Sequence, residues 1–244
     1  MKMRVAATPS PQTEFWAGCR AIVPLVVGAI PFGMIFGTLA TSSGLSFAGA
    51  LGMSALVFAG SSQFIALGLL AAGTPLPLII LTTFVVNLRH LLYAISLLPH
   101  IRHLPQAWKV PIGFWLTDEA FAVAIARYHQ PDPSPYKHWY YLGASVLMYL
   151  NWQVFTWIGL TLGQMLPNVA NWGLDFAMSV TFIGMILPYL QSHPTIAAVL
   201  VAGGVSLLTH GLPHQLGLMV AAILGMAAGV LAEKLTNLRR MHHE

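Results

Sequence analysis

Charge is what this sequence of 244 residues lacks. Asp, Glu, Lys and Arg together make up 7% of it, against about 25% in ordinary globular proteins. From Ala21 through Leu88 there is no Asp, Glu, Lys, Arg or His, and between Lys137 and Glu233 the sole formally charged side chain is Asp175. Seven acids and eleven Lys/Arg cannot cover a soluble protein of this length, so a soluble domain is excluded. Cysteine is nearly absent too. Cys19 stands alone, which excludes an internal disulfide and any cysteine-rich metal site; it reads as a small buried apolar residue. The ten histidines form no cluster with a third and fourth ligand close in sequence. Gly-rich phosphate loops and a Ser/His/Asp nucleophile set are missing as well. No enzyme chemistry, metal or cofactor is expected. The +4 net charge comes from positives scattered between apolar blocks, as topology signals are, and not from a nucleic-acid-binding patch.

Apolar runs are what the chain has: 57% of it is hydrophobic. A bilayer core takes about 20 apolar residues per helical crossing. Candidate spans run over 18–41, 47–71, 76–98, 108–127, 138–161, 174–190, 195–210 and 214–232, separated by Gly, Pro, Ser and Asn clusters. The runs lack two-residue alternation and are too long for barrel strands. The expected fold is therefore all-α: a polytopic membrane protein of about eight spans, or seven if the last two form one broken crossing. Residues 1–16 are expected as a tail, 17–233 as one transmembrane domain and 234–244 as a second tail. The first apolar run outlasts a signal-peptide core and is expected to be retained. With eight spans and both termini inside, the cytoplasm would hold Lys2, Arg4, Arg20, Arg127, Lys137, Lys234, Arg239 and Arg240, leaving Arg102 and Lys109 opposite. Phe15, Trp16, Trp108, Tyr136, Trp139, Tyr141 and Trp172 mark interfaces.

Polar groups at lipid depth are costly, so each is a functional candidate. The first place is Gly28-Ala29-Ile30-Pro31-Phe32-Gly33, where proline and glycines favour an unwound helix, tolerable only beside protein or a water-filled cavity. A packing kink is the bland alternative. The second is Phe58-Ala59-Gly60-Ser61-Ser62-Gln63-Phe64, whose serine hydroxyls can bond across helices. Packing explains the small residues, whereas the Gln63 amide is expected to face a polar cavity. The third is Asn87-Leu88-Arg89-His90. Asn87 and His90 share a helix face and Arg89 points about 100° from His90. Arg89 precedes Pro99 by ten residues, roughly 15 Å along a helix, so snorkelling to the interface competes with a site role. The fourth is Asp118-Glu119 near the middle of its span. Arg89 is the sole intramembrane cation available to pair with them, and one arginine cannot neutralise two carboxylates. One acid is therefore expected to carry a proton; the small Ala122 on its face favours Asp118.

Taken in order, Gly28 to Gly33, Val57-Phe58-Ala59-Gly60 with Gln63-Phe64, Asn87-Leu88-Arg89-His90-x-x-Tyr93 and Leu116-Thr117-Asp118-Glu119-x-Phe121 resemble the large subunit of the AzlC-type branched-chain amino acid exporters. The resemblance is sharpest over residues 28–121. It implies a bacterial inner-membrane secondary transporter that exports branched-chain and similar neutral amino acids, driven by the proton gradient, with a small AzlD-type membrane subunit as partner. On this reading Gly28, Pro31, Phe32, Gly33, Gly60, Gln63 and Asn87 bind substrate. Asp118 and Glu119 couple protons, Arg89 tunes them and His90 relays. A channel lined by the same residues and an assembly subunit without transport of its own are the rival readings.

Overall fold

A computed structural model describes residues 10–132, 134–163, 190–212 and 216–241, together with 183 and 187. Its regular elements are helices: α1 (Pro11–Ser42), α2 (Phe47–Leu56), α3 (Gly60–Ala71), α4 (Leu76–Ile101), α5 (Gln106–Phe114), α6 (Asp118–Tyr128), α7 (Lys137–Gly163), α8 (His193–Leu208) and α9 (Leu216–Met241). The all-α expectation holds, and α1 and α4 are long and apolar enough to cross a membrane. The predicted span at 174–190 lies outside the described residues, apart from 183, 187 and 190. The chain divides into two compact units, residues 1–71 with 87–174 and residues 72–86 with 175–244. Helix α1 begins at Pro11 and α9 runs to Met241.

Helix α1 starts where Ser10 and Thr13 form a reciprocal capping box. It then continues unbroken through Pro24 and Pro31. The unwound segment expected around Pro31 is therefore not formed. Each proline removes one backbone donor, and packing along α7 offsets that loss. A Cβ built on Gly18 would lie 1.9 Å from the Tyr140 carbonyl oxygen, one on Gly143 2.0 Å from that of Phe15, one on Gly37 2.2 Å from that of Thr156, and one on Gly159 2.1 Å from that of Met34. Backbone therefore touches backbone near both ends of the crossing, a contact only glycine permits. Both helices advance in the same direction through these contacts, so α1 and α7 are parallel. The Cys19 thiol donates to the Gly143 carbonyl at 3.2 Å and the Thr38 hydroxyl to that of Gly159 at 3.2 Å.

The end of this unit that carries the start of α1 is face A, and the opposite end is face B. Helix α2 leaves face B four residues after α1 ends. With 10 residues it is about 15 Å long, half of a hydrocarbon core. Its tip residue Phe58 packs at the level of Ile22, Ala29 and Met148, and lies 5.0 Å from the Tyr149 ring. Gly60 then meets Trp152, and Phe64 meets Phe32 and Phe36. The chain has turned back towards face B. The predicted span at 47–71 is thus a re-entrant hairpin and not a crossing.

The predicted span at 108–127 does the same from face A. Helix α5 descends with Trp108 on His138 and Trp139, then Ile112 on Tyr141, then Trp115 beside Tyr149. Helix α6 climbs back along α4: Asp118 on Arg89, Phe121 stacked on Tyr93 at 4.5 Å, and Tyr128 stacked on His100 at 4.9 Å. The physical reason is the same for both. A three-residue break at 57–59 and another at 115–117 free enough backbone to reverse direction, and hydropathy cannot tell two half-length apolar helices from one full-length helix.

Two matching pieces result. Each has a long helix, a four-residue link, a half-helix, a three-residue break and a second half-helix, with half-helices of 10 and 12 residues in one and 9 and 11 in the other. From Asn87 onward α4 is antiparallel to α1, since its Ile101 end joins α1's Glu14 end at face A through Tyr128 and Arg127. The pieces are therefore related by inverted topology. Face A of this unit carries Arg102 and Lys109 beside Arg127 and Lys137, which corrects the expectation that the first two lie opposite. Cysteines placed at Ser42 and at His103, in a Cys19→Ser background, are expected to react with impermeant reagents from opposite sides of the membrane. Labelling of both from one side would refute the hairpins.

In the second unit α8 and α9 form a tight antiparallel pair. Gly217 lies against the Thr209 carbonyl, Gly225 against Ala202 and Gly229 against Ala198.

Candidate functional site

A helix that ends at mid-depth leaves up to four carbonyls and four N–H groups without helical partners, and lipid cannot satisfy them. At the end of α2, α7 supplies the missing donors. Gln153 donates from Nε2 to the Ser54 carbonyl at 3.1 Å and the Tyr149 hydroxyl to that of Ala55 at 3.1 Å. The Ser54 hydroxyl donates in turn to Gln153 Oε1 at 3.0 Å. At the end of α5 the Tyr141 hydroxyl donates to the Ile112 carbonyl at 2.7 Å. A tyrosine of α7 thus caps each descending half-helix. Gln63 Nε2 adds a bond to the Met53 carbonyl at 3.2 Å, tying the arms of the first hairpin together. Gln63 is 0% exposed and its Oε1 has no hydrogen-bond partner. It braces the turn and does not line an open cavity, which corrects the sequence expectation.

The two returning half-helices begin differently. Thr117 caps α6, its hydroxyl accepting from the Ala120 N–H at 3.2 Å. Asp118 and Glu119 occupy its first turn, at the positive end of the helix dipole. Ala59 precedes α3 and has no side chain that could cap it, so Gly60, Ser61 and Ser62 present backbone N–H groups at the first tip. Arg89 connects the tips. One guanidinium nitrogen donates to the Ser61 hydroxyl at 2.6 Å and another lies 2.8 Å from Asp118 Oδ2. The Ser62 hydroxyl donates to Asn87 Oδ1 at 2.6 Å. Arg89 Nε and Asp118 Oδ1 are buried without a hydrogen-bond partner, as are the indole nitrogens of Trp115 and Trp152, which lie at the second break and against Gly60. Unsatisfied polar atoms therefore gather around the tips, which makes the place the candidate site.

Three of the four predicted places converge here: Gly60 with Gln63, Asn87 with Arg89, and Asp118 with Glu119. Arg89 does not snorkel. His90 is adjacent in sequence, but its Nδ1 meets the Asn87 carbonyl of its own helix at 3.1 Å and its ring the edge of Tyr93. The segment from Gly28 to Gly33 contributes packing. Phe32 lies against Phe64, and a Cβ on Gly33 would meet Phe155 at 3.0 Å. The bonds of Ser61 and Ser62 to the Arg89 and Asn87 side chains of α4 agree with the expectation that serine hydroxyls bond across helices, whereas sequence reasoning missed all of α7. The signal was present, because Asn151, Gln153 and Thr156 are polar residues in an apolar run, the same warrant that singled out Gln63.

Paired re-entrant half-helices meeting an arginine–aspartate pair at mid-depth are the architecture of a membrane transporter and not of an enzyme. The chain belongs to the AzlC family: the family profile, described as AzlC protein, matches residues 24–166. It is 30% identical to the inner membrane protein YgaZ of Escherichia coli over 236 residues, covering 92% of this chain and 93% of that protein. Identity to the branched-chain amino acid transport protein AzlC of Bacillus subtilis is 32% over 178 residues, 70% of this chain and 68% of that one. An uncharacterized membrane protein of Archaeoglobus fulgidus is 33% identical over 205 residues, 83% of this chain and 88% of that one. No solved structure matches.

Proposed function

We propose that the protein is a proton-coupled exporter of branched-chain or similar neutral amino acids. It acts in the bacterial inner membrane as the large subunit of a two-component permease, with a small AzlD-type partner and with face A in the cytoplasm. The observation that carries this reading is Arg89 bridging Ser61 and Asp118 while Glu119, beside them, has no second cation among the described residues. The uncapped start of α3 suits a substrate carboxylate, since half-helix N-termini offer N–H donors and a positive dipole end. The acidic start of α6 suits its ammonium group. Phe32, Phe36, Phe64 and Trp152, in mutual ring contact beside Gly60, supply apolar surface for an aliphatic side chain. Asp118 stays with Arg89, so Glu119 carries the coupling proton, a reversal of the preference drawn from sequence. The positive-inside rule supports the orientation, because Arg20, Arg102, Lys109, Arg127 and Lys137 all lie towards face A.

Flux of labelled leucine from proteoliposomes under an imposed pH gradient tests this. Saturable, gradient-dependent flux is expected when the small subunit is present, and little without it. Full activity from the purified single chain would remove the partner from the proposal. Flux that neither saturates nor needs the gradient would replace the carrier with a channel.

A further inference from the structure

The inverted relation between the two pieces is broken at one place. Face A, where the second hairpin returns, carries a dense network of charged groups. Arg127, in the last turn of α6, donates from Nε to Glu14 Oε2 at 3.1 Å and pairs through a terminal nitrogen with Glu14 Oε1. Its other terminal nitrogen pairs with Asp132 and donates to Gln130 Oε1 at 3.1 Å. The Ser134 hydroxyl donates to Glu14 Oε1 at 2.7 Å and the Ser134 N–H to Asp132 Oδ1 at 3.1 Å. Lys137 stands 3.6 Å from Asp132 and donates to the Gln130 carbonyl at 2.7 Å, while the Tyr140 ring lies under the Arg127 guanidinium. The side chains of Glu14 and Arg127 are only 7% and 11% exposed. The corresponding end of the first hairpin, Leu69-Leu70-Ala71 followed by Ala72-Gly73-Thr74-Pro75, has no charged residue.

The network spans a seam. Glu14 belongs to α1, which α7 holds by direct backbone contact. Arg127 belongs to the re-entrant hairpin, whose inner face sets Val123 against the cluster of Ile22, Ala29, Ala144 and Met148, with Phe58 of the opposite tip packed on the same cluster. The packed seam between α1 and α6 therefore leads from face A towards the tips, and Glu14–Arg127 stands at its outer end. A mostly buried ion pair costs desolvation of both charges and gives little net stability, so its best use is to hold one of two arrangements. The bond from Arg127, with that from the Ser134 N–H, holds Asp132 at about 2; the outer arm of the network therefore stays charged throughout the physiological pH range.

We propose that Glu14, Arg127 and Ser134 form the gate on face A: while they are joined, the α5–α6 hairpin is shut against α1, and their separation opens the site to that face. The proposal rests on the transporter reading but is tested without any flux measurement. A cysteine at Val123 in a Cys19→Ser background reports the seam to a membrane-impermeant thiol reagent applied from face A. Glu14→Gln and Arg127→Gln are each expected to raise its labelling rate about tenfold, by shifting the population towards the open arrangement. Asp132→Asn, at the exposed outer arm, is expected to raise it less. An unchanged rate in Glu14→Gln protein that elutes as the parent does would overturn the gate, whatever the leucine flux shows. Should that variant fail to accumulate, Glu14→Asp shortens the reach by one methylene and keeps the charge. It is expected to raise the rate as well, and an unchanged rate there is equally fatal.

Discussion

Replacing Glu119 with glutamine is expected to abolish export driven by a pH gradient while leaving amino acid exchange between the two sides intact. The amide has nearly the shape of the protonated acid but can never release a proton, so the cycle can carry substrate both ways without coupling it. An unpaired charge at this depth costs at least about 2.5–3.5 kcal/mol, and Arg89 is committed to Asp118 at 2.8 Å. On the proposed coupling role, Glu119 is neutral while the site changes sides and releases its proton only where water reaches the tip of α6. Asp118→Asn is expected to behave differently. It strips Arg89 of its counter-ion and leaves a buried cation held by the Ser61 hydroxyl alone, so the amount of folded protein should fall before any transport defect can be measured. The check is counterflow and gradient-driven uptake measured on the same vesicles. Gradient-driven export by Glu119→Gln at the parent rate would end the coupling role of that residue.

A second large effect is expected at the crossing of α1 and α7. Gly159→Val places branched carbon where a single Cβ already falls 2.1 Å from the Met34 carbonyl oxygen and 2.8 Å from its carbon. Backbone cannot swing aside as a flexible side chain can, so the helices must separate. Overpacking a close contact costs about 1–3 kcal/mol, occasionally more, and here the hydrogen bond from Thr38 to the Gly159 carbonyl is strained as well. The folded yield in detergent should drop sharply, with a lower thermal midpoint for what remains. Gly52→Ala is the matched control. No atom lies within 4 Å of its built Cβ, and alanine is favoured over glycine inside a helix by about 1 kcal/mol. It should be neutral or stabilising. Equal behaviour of the two variants would remove the backbone contact as the basis of the crossing.

Much of the site was legible in the sequence. The cost of polarity in lipid is a local property, so Gln63, Asn87, Arg89, Asp118 and Glu119 announce themselves one at a time, and all five lie at the tips or brace them. The pairing of Arg89 with an acid follows from counting charges. What stayed hidden is direction. A run such as 47–71 has the hydropathy of one crossing whether it crosses or doubles back, and the residues that decide, Val57-Phe58-Ala59 and Trp115-Leu116-Thr117, are not strong turn formers. The donors to the Ala55, Ser54 and Ile112 carbonyls just before them come from Tyr149, Gln153 and Tyr141, dozens of residues away. Pro31 misled for the opposite reason. It is the strongest local breaker in its span, yet the extended contact with α7 outweighs one missing donor. Glu14 was invisible because its partners lie more than a hundred residues further along the chain.

The opposed orientation of the two pieces has a consequence for how the chain enters the membrane. The insertion machinery meets two segments of nearly equal build and must set one of them upside down relative to the other. Their lengths and hydropathy cannot give that instruction. Basic residues can, and their distribution is polarised: Ser43-Gly44-Leu45-Ser46 and Ala72-Gly73-Thr74-Pro75 carry none, whereas Arg102, Lys109, Arg127 and Lys137 punctuate the second piece. On the proposed orientation, the neutrality of the first piece's loops is what lets face B leave the cytoplasm. Two arginines introduced at Gly44 and Leu45 would compete for the cytoplasm with those of the second piece, and the nascent chain would partition between two orientations before any question of transport arose.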